Sequence, residues 1–156
     1  MDISHLALAY QEATDYFFTC VEQVNDSNID NHHPEGWSAR QVIHHMADSE
    51  VQSYARLRRL LAEPEGSIIQ GYDEAAWAQC AVLGYEELPI QPSLDAIRAV
   101  RNSSHIILTR LTQSDLNRFG THTESGRYTV TDWLEIYTVH PREHGDQLLR
   151  ALQSLA

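Results

Sequence analysis

The chain has 156 residues, of which 42% are hydrophobic, and this is typical of one globular domain rather than a disordered segment. Its formal net charge is -11, with 22 acidic residues against 11 basic ones, so the surface should repel phosphate backbones and nucleic-acid binding is disfavoured. Every basic residue is an arginine, and the absence of lysine excludes Schiff-base and P-loop chemistry.

The first half of the chain contains two predicted helices and a long connection. Apolar residues recur at steps of three and four over residues 3–24, which predicts the first helix. The second helix begins after Ser38, which forms a capping box with Gln41, and it ends at Ala62, shortly before a proline and a glycine. Residues 63–92 form the connection, which contains one short capped helix near its middle.

The second half of the chain repeats the helical pattern. A third helix is predicted over residues 93–111, and residues 119–130 form a small hairpin or a loop. The fourth helix starts after Thr129 or Thr131 and ends near Leu155. Four long helices with little strand predict an all-α fold, a four-helix bundle with its long connection between the second and third helices.

Cysteine usage and hydropathy narrow the class of protein further. Cys20 and Cys80 lie outside any C-x-x-C motif, which argues against a disulfide framework and a zinc ribbon, and Cys20 in an apolar helical stretch is interpreted as a core residue. No apolar run reaches the roughly 18 residues that span a membrane. The N-terminus lacks the order of a signal peptide. We therefore expect a cytoplasmic protein that does not contact membranes.

The clearest local motif is the H-x-x-x-H pair formed by His140 and His144. Histidines four apart lie on one face of a helix, close enough to share a metal ion. Pro141 removes the helical hydrogen bond to the carbonyl of Tyr137, so we expect a kink there, with the following turn still helical. Glu143 points away from the pair and should be solvated or paired with an arginine. The alternative is that the helix ends at the proline and His140 is a surface residue.

A third ligand must come from another helix, and the second helix offers His44 and His45. Spacing leaves both open, although it favours His45, which borders the apolar stripe. Asp48 lies three residues after His45 and could orient an imidazole, or it could be an ordinary surface residue. The remaining histidines are interpreted as surface or core residues: His5, His32, His33, His105 and His122.

Three segments of the sequence resemble the DinB/YfiT-like superfamily of metalloenzymes. They are Gly36-Trp37-Ser38-Ala39-Arg40-Gln41-Val42-Ile43-His44-His45-Met46-Ala47-Asp48-Ser49-Glu50, then Gly71-Tyr72-Asp73-Glu74-Ala75-Ala76-Trp77, which is similar to the YfiT-like branch, and Leu134-Glu135-Ile136-Tyr137-Thr138-Val139-His140-Pro141-Arg142-Glu143-His144. Together they occur in the family's order across most of the chain. The resemblance implies one four-helix-bundle domain over residues 1–156.

The resemblance also implies a divalent metal ion on three histidines. Its second-helix ligand is His45 here, and its fourth-helix ligands are His140 and His144, while His44 becomes an outer residue. Pro141 and Glu143 depart from the family's motif and leave its local geometry open. Nickel, zinc and other divalent ions are all compatible with the resemblance.

Three functional hypotheses follow, and the sequence assigns no catalytic residue and no particular substrate. Three imidazoles leave a coordination position open. The first hypothesis is transfer of a low-molecular-weight thiol, bound as thiolate, to small electrophilic substrates. The second is a hydrolase that uses metal-bound water. The third is a non-catalytic metal-binding or stress-associated dimer, since the resemblance implies a homodimer.

A pocket is predicted at the end of the bundle near His45, with the long connection as its wall. Tyr72, Asp73 and Trp77 are the candidates for that wall, because they occupy the middle of the connection. The alternative is that these three residues serve packing and helix capping only.

Overall fold

The structure is a computed structural model that describes residues 2–155. Its helices are α1 (Ile3–Val21), α2 (Ala39–Ala62), α3 (Glu74–Gln79), α4 (Gln91–Leu108) and α5 (Val130–Leu152). Its strands are β1 (Ile68–Ile69), β2 (Phe119–His122) and β3 (Gly126–Thr129), and short 3-10 turns occupy Ala81–Leu83 and Asp115–Asn117. Across the described residues, none of the helices combines the length and the apolar character needed to cross a membrane.

The four long helices form the predicted four-helix bundle. Helix α1 packs mainly on α5 and also on α4, whereas α2 packs on both α4 and α5. The consecutive helices α1 and α2 therefore occupy opposite corners, as do α4 and α5. The apolar core divides into two clusters, one around Trp133 and Tyr10 and the other around Phe17, Ile43 and Met46.

Local sequence signals explain where the helices begin. The Ser38 hydroxyl accepts from the Gln41 backbone N–H, and the Gln41 side chain accepts from the Ser38 N–H at 2.9 Å, so the predicted capping box is confirmed. Thr129 caps α5 in the same reciprocal way with Asp132. Helix α4 starts two residues earlier than predicted because Pro92 fits the first turn of a helix.

Three helices end three residues before their predicted ends. Helix α1 stops at Val21, α4 stops at Leu108, and α5 stops at Leu152. After α1 the backbone N–H groups of Gln23 and Val24 bond to carbonyls three residues back, which is a tighter turn than an α-helix allows. Apolar residues in such a turn keep the helical spacing in the sequence although the helix has ended.

A small three-stranded sheet fixes the long connection to the rest of the molecule. Strand β1 pairs in parallel with β2, and β2 pairs antiparallel with β3, with Ile68 opposite Thr121. The hairpin of β2 and β3 agrees with the predicted one, whereas β1 was not predicted. A Cβ on Gly120 would lie 2.6 Å from the Ile69 side chain, so this glycine permits the close approach of the connection.

A buried polar layer crosses the centre of the bundle. The Arg101 guanidinium, 1% exposed, pairs with the Glu50 carboxylate, 0% exposed, at 2.9 Å. Arg101 also donates to the Thr14 hydroxyl at 2.6 Å and to the Tyr10 carbonyl at 2.9 Å. A buried charge pair is retained at little cost only when its remaining groups are hydrogen-bonded, and Arg101 meets that condition, whereas Glu50 Oε2 has no hydrogen-bond partner among the described residues.

Candidate metal centre

Helices α2 and α5 bring three histidine side chains together beside this polar layer. His45 lies on α2, and His140 and His144 lie one turn apart on α5. One ring nitrogen from each lies within 4.8 Å of the others. The ring centroids are 4.3 Å apart for His140 and His144, 4.7 Å for His45 and His144, and 5.6 Å for His45 and His140. The three residues that the sequence predicts as ligands therefore converge on one point.

Burial keeps all three imidazoles in the form that binds metals. Desolvation, followed by repulsion from His144, lowers the pKa of His45 to about 4. Desolvation also lowers the pKa of His140, with further contributions from His144 and His45, and it lowers the pKa of His144 against an opposing hydrogen bond. At neutral pH the rings are uncharged, and a neutral imidazole is the ligand form for divalent ions.

The hydrogen bonding of the rings also fits a metal ion. The buried Nδ1 atoms of His45 and His140 have no hydrogen-bond partner within residues 2–155. His144 Nδ1 lies 2.7 Å from Gln147 Oε1, and since a carbonyl oxygen only accepts, Nδ1 carries the proton and Nε2 is left with its lone pair. The unpaired buried nitrogens on His45 and His140 and the lone pair on His144 Nε2 belong to converging neutral rings, and a bound divalent cation would satisfy them.

Three neighbours of the histidines were missed by the sequence analysis. Gln147 holds the tautomer of His144, Trp37 packs on His45 with ring centroids 5.1 Å apart, and the Ser49 hydroxyl lies 3.5 Å from His140 Nε2. Helical spacing contains a signal for two of them. Gln147 lies three residues after His144, and Ser49 lies four after His45, so each shares a helix face with a candidate ligand.

Helix α5 continues through Pro141, so the alternative in which it ends there is wrong. The proline leaves the carbonyl of Tyr137 without its helical donor. Arg101 Nη1 donates to that carbonyl at 2.9 Å, from helix α4. The Tyr137 carbonyl that the proline leaves unpaired is therefore hydrogen-bonded by the buried polar layer, next to His140. Glu143 is exposed, which agrees with the prediction that it is either solvated or paired with an arginine.

His44 and Asp48 contact the long connection instead of the three rings. His44 is 6% exposed, with Nδ1 2.8 Å from the Ser93 hydroxyl and Nε2 3.1 Å from the Leu88 carbonyl. Because the carbonyl only accepts, Nε2 carries the proton and Nδ1 accepts from Ser93. The Tyr85 hydroxyl donates to Asp48 at 2.5 Å. Both side chains therefore fasten the connection to α2.

The three predicted wall residues have different surroundings. Tyr72 lines a cavity of about 120 Å³ that also includes His140. Asp73 is exposed and caps α3 by accepting from the Ala76 N–H at 2.9 Å. Trp77 packs on Tyr72, with ring centroids 4.7 Å apart. Of the three, Tyr72 is the one that faces the same cavity as a candidate ligand.

Other predicted features lie away from the three rings. A larger cavity of about 380 Å³ separates the start of α2 from residues 75–87 of the connection, and Trp37 lines it. Both cysteines are free, with Cys20 buried in the core as predicted and Cys80 exposed. The five remaining histidines lie outside the three-histidine group of the described chain, although His122 lines the smaller cavity.

Comparison with known proteins identifies the family. The model of the DinB superfamily matches residues 9–148. An Oceanobacillus iheyensis protein named "Putative metal-dependent hydrolase OB0782" is 36% identical over 125 residues, which are 80% of this chain and 70% of the relative. A Geobacillus thermodenitrificans protein with the same general name is 27% identical over 153 residues, 95% of this chain and 83% of the relative.

A solved structure supports the same assignment. YfiT from Bacillus subtilis, described as "a probable metal-dependent hydrolase with an unusual four-helix bundle topology", superposes with a TM-score of 0.85 at 26% identity. The match covers 99% of this chain and 89% of that one. With its bundle, its three converging histidines and the match over residues 9–148, this chain belongs to the DinB superfamily and is YfiT-like in structure.

Proposed function

We propose that this protein is a metal-dependent hydrolase of small molecules that holds one divalent ion on His45, His140 and His144. The observation that carries the proposal is the convergence of three neutral imidazoles with unpaired nitrogens on one point. The names of the relatives, which describe metal-dependent hydrolases, support the same reaction class. Three protein ligands leave a coordination position free, as in catalytic zinc sites.

A bound ion would supply Lewis acidity and lower the pKa of a coordinated water to about 7. The chain's own residues prepare the site for that ion. Gln147 fixes the orientation of His144, and the Trp37 ring covers one side of His45. Arg101 donates to the carbonyl of Tyr137, which Pro141 leaves without its helical donor in the turn before His140. Fixed outer contacts of this kind strengthen metal binding in proteins.

Metal analysis of the purified protein tests the proposed ligands. We expect about one ion per chain, with His144→Ala abolishing the binding. His105→Ala, a histidine on α4 outside the three-histidine group, is the matched control and should keep the ion. Full occupancy in His144→Ala would contradict the ligand assignment. The same measurement identifies the ion, since imidazole ligands suit both nickel and zinc.

Activity separates the hydrolase from its rivals. The protein should hydrolyse members of a panel of small esters and amides, and removal of the metal should stop the reaction. Turnover that requires an added low-molecular-weight thiol, with the thiol found in the product, would instead establish the thiol transfer predicted from the sequence. A filled site without turnover across the panel would favour the non-catalytic metal-binding dimer. Homodimerisation itself stays a prediction, which light scattering would test.

A further inference from the structure

The smaller cavity beside His140 has a buried floor and a charged rim. Ser49 and Tyr137 are buried and form the floor with Tyr72, and the Ser49 hydroxyl lies 3.5 Å from His140 Nε2. Glu74 and Glu124 are exposed and form the rim. Its volume of about 120 Å³ can hold only a small group of atoms. The cavity therefore connects solvent with the candidate metal centre.

The Tyr72 hydroxyl is one of three polar groups on the residues of this cavity that lack a hydrogen-bond partner among the described residues, together with Arg56 Nε and His140 Nδ1. The Tyr72 oxygen is enclosed, and Ser49, whose side chain lies close enough to affect the pKa of Tyr72, forms no hydrogen bond of normal distance and angle with it. The neighbouring Tyr137 hydroxyl, in contrast, accepts from Arg56 Nη1 at 3.0 Å. Packing on Trp77 holds the Tyr72 ring in place. A buried hydroxyl without a partner is costly, so its presence here indicates an acceptor that the protein does not supply.

We propose that the Tyr72 hydroxyl donates a hydrogen bond to the substrate oxygen that becomes negatively charged during hydrolysis at the three-histidine centre. This inference rests on the proposed hydrolase function. In the reaction the oxygen of water bonds to a carbonyl carbon, and the π electrons of the C=O bond move to the carbonyl oxygen, where Tyr72 donates. When the C=O bond re-forms, the bond to the leaving group breaks and the leaving group takes the proton released by water. Burial raises the pKa of Tyr72, so it remains a donor at neutral pH.

The charges around the cavity define the substrate class. Two carboxylates, Glu74 and Glu124, stand at the rim. The nearby guanidinium of Arg56 is committed through both terminal nitrogens, to the Tyr137 hydroxyl at 3.0 Å and the Gln70 carbonyl at 2.9 Å. A phosphate ester would meet these two carboxylates, and the single positive charge of Arg56 offsets only part of their repulsion. The cavity therefore suits uncharged or cationic esters and amides with a small acyl group.

Acetate binding to the cobalt-loaded protein tests the role of Tyr72 without a known substrate. The visible absorption of Co²⁺ reports the binding of acetate, whose oxygen stands in for the charged substrate oxygen. Tyr72→Phe keeps the ring and should retain one ion per chain while it weakens acetate binding by about 10- to 100-fold, as expected for one hydrogen bond to a charged group. Tyr85→Phe is the matched control, because this hydroxyl contacts Asp48, and it should leave acetate binding unchanged.

The possible results decide separately on the two proposals. Equal acetate affinity in the wild-type protein and Tyr72→Phe overturns the role of Tyr72 and leaves the hydrolase proposal standing. Loss of metal from Tyr72→Phe also overturns it, since the proposal places Tyr72 against the substrate and not against the ion. Inorganic phosphate that binds more tightly than acetate overturns the substrate class. A wild-type protein that binds no divalent ion overturns both the hydrolase and the inference built on it.

Discussion

Replacement of Arg101 by methionine perturbs the polar layer that supports the candidate metal centre. The guanidinium donates to four groups in the structure: Thr14 Oγ1, Glu50 Oε1, the Tyr137 carbonyl and the Tyr10 carbonyl. Arg101→Met leaves Glu50 buried without its counter-charge, which costs about 3–5 kcal/mol, and the Tyr137 carbonyl without a donor, which adds about 1–3 kcal/mol, whereas the Tyr10 carbonyl keeps its hydrogen bond from the Thr14 hydroxyl. Since domains are typically stable by about 5–15 kcal/mol, the variant should be close to unfolding.

The contact between Arg101 and Tyr137 makes a sharper prediction, because it depends on Pro141. In a Pro141→Ala background residue 141 regains an N–H, which can bond to the Tyr137 carbonyl. In that background, loss of Arg101 no longer leaves the Tyr137 carbonyl without a donor. The cost of Arg101→Met should therefore be smaller in that background, by about 1–2 kcal/mol. Arg101→Lys, which keeps the charge next to Glu50, provides a milder version of the cycle if Arg101→Met does not fold.

Urea unfolding of the metal-free protein, followed by far-ultraviolet circular dichroism, measures the four free energies of this cycle. Arg98→Met is the matched control on the same helix, since Arg98 is exposed over the Phe18 ring, and it should change stability by less than about 1 kcal/mol. A coupling below about 0.5 kcal/mol between positions 101 and 141 would refute the reasoning. Arg101 would then act on Glu50 alone, and the carbonyl freed by the proline would need another explanation.

Two further substitutions test the surroundings of the three rings. Gln147→Leu removes the acceptor of the His144 Nδ1 proton and should weaken metal binding by about 10- to 100-fold, as measured by competition with a chelator. The control, Gln153→Leu just after α5, should leave the metal affinity unchanged. Equal metal affinities in the two variants would show that the Gln147 contact does not orient the His144 ring. His44→Ala removes hydrogen bonds to Leu88 in the connection and to Ser93 at the start of α4, and it should cost about 1–3 kcal/mol in urea unfolding. It should keep about one ion per chain, whereas His45→Ala should lose the ion. If His44→Ala lost the ion and His45→Ala kept it, His44 rather than His45 would be the ligand.

The sequence predicts the features that depend on neighbours along the chain. The capping box at Ser38 and the H-x-x-x-H spacing of His140 and His144 are local, so the start of α2 and the pairing of two rings can be predicted from them. Spacing could not separate His44 from His45, because the partners of His44 lie 44 and 49 residues further along the chain. The family resemblance, rather than spacing, selected His45.

The features that escaped prediction are long-range contacts. Arg101 meets Tyr137 and Glu50 across the bundle, at separations of 36 and 51 residues, and nothing local marks it as a buried residue. The proline predicts a carbonyl without its donor but not the side chain that will find it. Strand β1 has two residues, too few for any alternation of apolar and polar positions.

The Arg101 bond to the Tyr137 carbonyl has a consequence for the order in which the protein matures. The half of α5 that bears His140 and His144 is held by a side chain from α4. We therefore expect the bundle to fold before any metal binds, so that loading would be a late, reversible step on a finished scaffold. On such a scaffold the metal supply of the surroundings, as well as the sequence, would determine which ion the site holds.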